Sequence, residues 1–153
     1  KLGVLASIQP AHILDEAGWA EKRIGEDRCR MTYAFRSLAE AGVPLVSGSD
    51  WPVAPPCPLL GIYAAATRSP LDGRFPDGWQ PQQKLSVFQA IESYTVQAAY
   101  AEFAEAEKGT ITPGKFADLA VLSADPCTVE PKTIKDIKIL MTVAGGKIVY
   151  QAE

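Results

Sequence analysis

The 153-residue sequence predicts an α/β fold, and three observations support that prediction. Two short apolar runs are separated by a helical pattern, which is the strand, helix, strand order that builds a parallel sheet. A long stretch without glycine or proline follows, and its apolar residues recur at helical spacing. Beyond it the apolar residues alternate with a period of two between Pro-Gly and Gly-Gly turns, which is typical of antiparallel strands.

The first strand is predicted over residues 2–8, an apolar run that ends at Pro10 because proline cannot donate to a strand ladder. Residues 15–28 are charged and interrupted by glycine, so they predict a loop with at most one short helical turn. Apolar residues then recur at helical spacing, which predicts a helix over residues 30–41 that is ended by Gly42.

Residues 43–48 are predicted to form the second strand, lying parallel to the first. The proline-rich stretch 51–58 predicts an irregular loop, and a short helix is expected over residues 59–68. The polar, glycine- and proline-rich residues 69–83 predict a surface excursion at the end of the sheet where the second strand ends. A helix over residues 86–107 is predicted next, with Ser86 as its N-cap.

The remaining sequence predicts strands over residues 116–122, 137–143 and 147–150, with the last two forming a hairpin across a Gly-Gly turn. The stretch GTITPGK, residues 109–115, contains a glycine and a lysine placed roughly as in a phosphate-binding loop. It lacks the required spacing and follows a helix rather than a strand. We interpret it as a turn.

Charge and cysteine usage exclude several classes of protein. The net charge of −3 and the scattered lysines and arginines give no basic surface for nucleic acid or anionic membrane. Cys29, Cys57 and Cys127 form neither a CxxC pair nor a disulfide framework, which favours a reducing, cytoplasmic location. No apolar run approaches the roughly 18 residues of a membrane span. The chain opens within an apolar run, and we therefore expect it to be a piece of a longer protein.

Two side chains are candidates for a functional site. Asp50 follows the second strand, and the carboxyl ends of buried parallel strands are where α/β proteins place ligands and catalytic groups. The alternative is a carboxylate that caps the following turn, before Trp51 and Pro52. His12, the only histidine, follows the first strand at the same edge. Its alternative is a hydrogen-bonded structural residue.

The sequence does not supply a complete catalytic centre by itself. A catalytic zinc needs three protein ligands, and the chain has no HxH, no second histidine and no cysteine pair. Ser49 precedes Asp50, but the sequence around it is not the GxSxG elbow of a serine hydrolase. If Asp50 and His12 act in a site, its other members must come from elsewhere.

Six stretches carry a resemblance to a known family. They are GVLASIQPAH, AGVPLVSGSDWPV, PLLGIYAAATR, SVFQAIESYTVQAAYA, EKGTITPGKFADLAVLSADP and KILMTVAGGKIVY, which together cover nearly the whole chain in order. In these stretches the sequence resembles the carboxyl-terminal part of the amidohydrolase superfamily of metal-dependent hydrolases. More closely it resembles the amidohydrolase-3 branch, which includes AepA-like exoenzyme regulatory proteins.

The resemblance implies a fold in which this chain is one part. Residues 1–108 would supply the last two β/α units of a TIM-like (β/α)8 barrel. Residues 109–153 would supply the carboxyl-terminal strands of a small β-sandwich that is assembled from both ends of the full-length protein.

The resemblance also implies a site. Asp50 would contact a divalent metal, usually zinc, and act as general base in hydrolysis of a C–N bond in a small amide-type substrate. His12 and Trp51 would contact the substrate. The metal-binding histidines of the family would precede this chain, so we expect no bound metal and no activity in the chain alone. The alternative is a non-catalytic regulatory or protein-interaction module, and in either case self-association is expected to cover exposed barrel surface.

Overall fold

The computed structural model describes residues 2–153 and shows a mixed α/β fold with two small sheets, which confirms the predicted fold class at this level. The first sheet pairs two parallel strands, β1 (Ala6–Ile8) and β2 (Leu45–Ser47). The second sheet is antiparallel, in the order β3 (Leu119–Leu122), β4 (Ile139–Ala144) and β5 (Lys147–Gln151). The predicted parallel pair and the predicted hairpin are therefore both present.

Strands β1 and β2 are shorter than their apolar runs. Ala6 lies opposite Leu45 and Ile8 lies opposite Ser47, so only three residues of each strand find a partner. Before Ala6 the backbone leaves the extended conformation at Gly3, whose φ is 68°. The apolar runs therefore predicted the positions of the strands, but the strands are only as long as the three residues of each that pair.

The helices are short. They are α1 (Ile13–Glu16), α2 (Ala20–Ile24), α3 (Glu26–Cys29), α4 (Phe35–Glu40), α5 (Pro58–Thr67), α6 (Val87–Tyr94) and α7 (Val96–Ala101), with 3₁₀ turns at Pro10–His12, Pro81–Gln83 and Pro131–Asp136. None of the helices within residues 2–153 combines the length and the apolar character that crossing a membrane requires.

The predicted loop over residues 15–28 was wrong, because this segment contains half of α1, all of α2 and most of α3. Its charged residues conceal two buried positions, Ala17 and Ala20, and Cys29 directly after it is buried as well. Gly25, with a φ of 81°, separates α2 from α3. Packing of these few apolar side chains stabilises helical turns that the composition did not indicate.

The long helix predicted over residues 86–107 is divided into α6 and α7. It begins as predicted with Ser86, whose hydroxyl accepts a hydrogen bond from the backbone N–H of Gln89 at 3.1 Å. Thr95 interrupts it with φ −123° and ψ −86°, and the Thr95 hydroxyl donates to the carbonyl of Ile91 at 2.9 Å. A threonine hydroxyl that bonds back to the preceding turn competes with regular helix geometry, and the regular structure ends at Ala101.

The core is centred on α5. Residues 61–65 of this helix are all buried, and residues 62–65 belong to one apolar cluster with Ile13, Phe35 and Trp79. Ile134, which lies beyond the predicted domain boundary at residue 108, is fully buried in the same cluster. Helix α5 contacts α6 and the turns at Pro10–His12 and Pro131–Asp136. The boundary itself stays a prediction.

Candidate functional site

The carboxyl ends of β1 and β2 lie side by side. Ile8 and Ser47 are partners in the parallel ladder, and the next N–H, that of Gly48, donates to the carbonyl of Ile8 at 3.0 Å. The chain therefore leaves both strands at the same edge of the sheet. His12 follows four residues after Ile8, and Asp50 follows three residues after Ser47.

Asp50 is exposed, and its backbone is left-handed, with a φ of 56°. Its backbone carbonyl accepts a hydrogen bond from the N–H of Val53 at 2.7 Å, so the following turn is closed by the main chain. No hydrogen bond from residues 2–153 engages the Asp50 carboxylate, and the alternative of a side-chain-capped turn is therefore not what the structure shows. A non-glycine residue held in this conformation is strained, and such residues cluster at functional sites.

Trp51 continues the same turn. Its side chain is 68% exposed, and the neighbouring Val53 is exposed to a similar degree. Two large apolar side chains beside a free carboxylate offer an apolar wall at this edge of the sheet.

His12 ends the 3₁₀ turn that follows β1, next to the buried Pro10 and Ala11. Its Nε2 atom is buried and has no hydrogen-bond partner, which is true of no other buried side-chain nitrogen or oxygen in the described part of the chain. A buried polar atom without a partner costs about 1–3 kcal/mol. Such atoms are rare in folded proteins and point to a role in binding.

Arg68 is the functional candidate that the sequence did not indicate. It is 0% exposed at the end of α5, and its guanidinium donates to three backbone carbonyls: those of Trp79 at 2.7 Å, Tyr33 at 3.0 Å and Thr32 at 3.4 Å. Its Cζ also lies 5.6 Å from the ring centroid of Trp79 and 5.7 Å from that of Phe35. No carboxylate within residues 2–153 forms an ion pair with it.

Burial in this surrounding lowers the pKa of Arg68 to about 10. The Tyr33 hydroxyl donates to Oε2 of Glu16, and burial, reinforced by this hydrogen bond, raises the pKa of Tyr33. A charged residue at the end of a helix usually interacts with solvent, so its burial could not be read from the sequence. The one signal was its position at the last helical turn before Ser69 and Pro70.

The described residues do not assemble a metal centre by themselves. No group of three or more histidine, cysteine, aspartate or glutamate side chains within residues 2–153 is placed to hold a metal ion. The free carboxylate of Asp50 fits the role of a single oxygen ligand, and three or more donors are needed for a stable protein site.

The fold of the described residues is similar to that of a solved metal-dependent hydrolase. The chain is similar to the crystal structure of an uncharacterized metal-dependent hydrolase from Pyrococcus horikoshii OT3, with a TM-score of 0.69, 30% sequence identity and coverage of 84% of this chain. Residues 1–150 match the family model described as "Amidohydrolase family", of the amidohydrolase-3 type. The chain belongs to this family, and the predicted resemblance is confirmed.

Two curated relatives are similar over most of the chain. Protein LONG AFTER FAR-RED 3 from Arabidopsis thaliana is 36% identical over 98% of the chain. The N-substituted formamide deformylase from Arthrobacter pascens is 28% identical over 78% of it. The chain spans only 25% and 21% of these relatives and 26% of the Pyrococcus hydrolase, or about a quarter of their length.

Proposed function

We propose that this chain is the carboxyl-terminal part of a metal-dependent hydrolase that cleaves the C–N bond of small amide-type molecules. The family match over residues 1–150 supports the proposal, as does similarity to a deformylase whose name gives N-substituted formamides as its substrates. The observation that carries it is the free Asp50 carboxylate in a strained turn, at the carboxyl end of a parallel strand.

The finer architecture is part of the proposal. Residues 1–108 are the last two β/α units of a TIM-like (β/α)8 barrel, and the parallel pairing of β1 with β2 supports this assignment. Residues 109–153 supply strands of a β-sandwich, which the antiparallel sheet β3–β5 supports. Segments outside this chain complete both units.

Asp50 is proposed as a metal contact and as the general base. A divalent metal, zinc by the family resemblance, would supply a water whose pKa is lowered toward neutrality. The Asp50 carboxylate would accept a proton from the attacking water, whose oxygen bonds to the amide carbonyl carbon. The same carboxylate would then give the proton to the amine nitrogen as the C–N bond breaks, and would so be regenerated.

His12 and Trp51 are proposed to contact the substrate. The buried, unpartnered Nε2 of His12 supports a polar contact, since a hydrogen bond to the substrate would satisfy it. The exposed indole of Trp51 supports an apolar contact with the substituent on the amide.

The test is Asp50→Asn in the whole enzyme that contains this chain, assayed on N-substituted formamides and on N-acylated amines. The amide has nearly the shape of the carboxylate but cannot accept the proton, so we expect kcat to fall by about a thousandfold while the fold persists. Asp27→Asn is the matched control, because the Asp27 side chain is 94% exposed and forms only a 3.6 Å ion pair with Arg30. Turnover in Asp50→Asn within tenfold of the unaltered enzyme would remove Asp50 from the mechanism.

The alternative of a non-catalytic regulatory or protein-interaction module has less support. The solved structure is described as a metal-dependent hydrolase, and the Arthrobacter relative is named as a deformylase. The name of the Arabidopsis relative states no chemistry, so it favours neither function.

A further inference from the structure

Besides their core packing, the helices that follow His12 are connected to other parts of the molecule through two carboxylates. Glu16, on α1, accepts a hydrogen bond from the Tyr33 hydroxyl. Glu21, on α2, accepts one from the indole Nε1 of Trp79 at 3.4 Å. Both donors lie far from His12 along the chain, so these bonds fix the His12 segment against other parts of the fold.

Both donor residues are in turn held by one side chain, that of Arg68. Its Nη1 binds the Tyr33 carbonyl, and its Nε binds the Trp79 carbonyl. The Trp79 ring also packs against its guanidinium, and the Tyr33 and Trp79 rings meet edge to face with centroids 6.3 Å apart.

The burial of Arg68 without a carboxylate is costly unless every one of its contacts is kept. An isolated buried charge loses its hydration, and here carbonyl dipoles and two aromatic faces replace that hydration. The planar guanidinium donates in several fixed directions at once, which a lysine ammonium cannot reproduce. These contacts therefore favour the arrangement in which the Tyr33 and Trp79 carbonyls face the Arg68 guanidinium.

We propose that Arg68 is a positioning residue for His12. It fixes Tyr33 and Trp79, these hold α1 and α2 through Glu16 and Glu21, and the two helices hold His12 at the carboxyl edge of β1. The proposal rests on the proposed function only in taking His12 as a substrate contact. The mechanical link between Arg68 and His12 can be tested without turnover.

His12 is the only histidine of the chain, so its imidazole gives a single, unambiguous set of nitrogen resonances. In ¹⁵N-labelled protein we would record these resonances together with amide hydrogen exchange. The N–H of Ala17, bonded to the Ile13 carbonyl at 3.1 Å, and that of Gly25, bonded to the Glu21 carbonyl at 2.9 Å, report on α1 and α2.

Tyr33→Phe is the main variant, because it removes only the hydroxyl that binds Glu16 and leaves the carbonyl that binds Arg68. We expect the His12 resonances to shift and exchange at Ala17 to accelerate about tenfold, as for loss of one part-buried hydrogen bond. Exchange in α6 should not change. Arg68→Lys should shift the His12 resonances in the same way and should accelerate amide hydrogen exchange at both Ala17 and Gly25.

Ser37→Ala is the matched control. Ser37 accepts a part-buried hydrogen bond from Gln83 at 2.7 Å, and its side chain forms no hydrogen bond with Glu16 or Glu21. It should leave the His12 resonances and the Ala17 exchange unchanged. Unchanged His12 resonances in a folded Tyr33→Phe variant would overturn the proposal. The proposal would also be overturned if Arg68→Lys accelerated amide exchange throughout the chain while Tyr33→Phe had no local effect at Ala17.

This result is separable from that of Asp50→Asn. If the His12 resonances respond to Tyr33→Phe but Asp50→Asn keeps its turnover, the positioning role of Arg68 stands and the proposed mechanism fails. If the His12 resonances do not respond but Asp50→Asn loses its turnover, the mechanism stands and the positioning role fails.

Discussion

The hydroxyl of Tyr94 occupies the space where a side chain on Gly61 would begin. Gly61 lies in the buried middle of α5, and a Cβ at this position would collide with the Tyr94 oxygen and lie 2.7 Å from Cζ of the ring. The contact fixes how closely α6 approaches α5. It also buries the phenol, and that burial raises the pKa of Tyr94 to about 12.

Gly61→Ala is therefore expected to destabilise the protein. In an open helix the change would stabilise by up to about 1 kcal/mol. Here overpacking against a rigid ring should outweigh that gain and lower the free energy of unfolding by about 1–3 kcal/mol. Urea denaturation followed by circular dichroism measures the change.

Gly48→Ala is the control for this experiment. A Cβ on Gly48 would meet no atom within 4 Å, and the residue does not need a left-handed backbone. We expect a change within about 0.5 kcal/mol. Equal losses at the two positions would show that the Tyr94 contact is not the cause.

Stability should fall in alkaline solution because of Tyr94. Its pKa is raised from 10 in the unfolded chain to about 12 in the folded protein. Between these values the unfolded state loses the phenolic proton and the folded state keeps it. The free energy of unfolding therefore decreases as pH rises from 10 to 12, by up to about 2 kcal/mol.

Urea denaturation at pH 8, 10 and 11 would measure this slope. Tyr94→Phe should flatten it, whereas Tyr100→Phe, at an exposed position, should not. A slope that is the same in all three proteins would assign the alkaline loss to other groups, such as Tyr33, whose pKa is also raised.

Ser86→Ala should lower the free energy of unfolding by about 1 kcal/mol, because it removes the N-cap of α6. The Ser86 N–H donates to Oε1 of Gln89 at 3.0 Å, so the two side chains form a reciprocal capping box. Gln89→Ala breaks the other half. We expect the double variant to lose less than the sum of the two single losses, and strict additivity would contradict a coupled cap.

Metal analysis of the 153-residue chain alone should find no stoichiometric divalent metal. Asp50 offers one oxygen ligand, and the described residues gather no group of three or more ligands. Plasma emission spectrometry after dialysis against zinc measures the content. A tightly held ion that is lost in Asp50→Asn would show that the chain forms a metal site without other segments.

The sequence predicted the parts of the fold that depend on local pattern. Apolar runs located β1 and β2, alternation located the hairpin of β4 and β5, and the Ser86 cap located the start of α6. The sequence misjudged α1 to α3, because their stability comes from a few buried side chains that pack against distant residues rather than from helical composition. It also missed the interruption at Thr95, where the threonine hydroxyl bonds back into the preceding turn.

For the site, the sequence by itself determined the family and singled out Asp50, His12 and Trp51, because motifs and strand ends are properties of the chain order. Only the tertiary structure decided that the Asp50 carboxylate is free of its own turn, that His12 has an unpartnered nitrogen, and that Arg68 is buried. These three properties depend on which distant groups meet in space. A side chain acquires its hydrogen-bond partners and its burial from those neighbours, and the order of residues does not specify them.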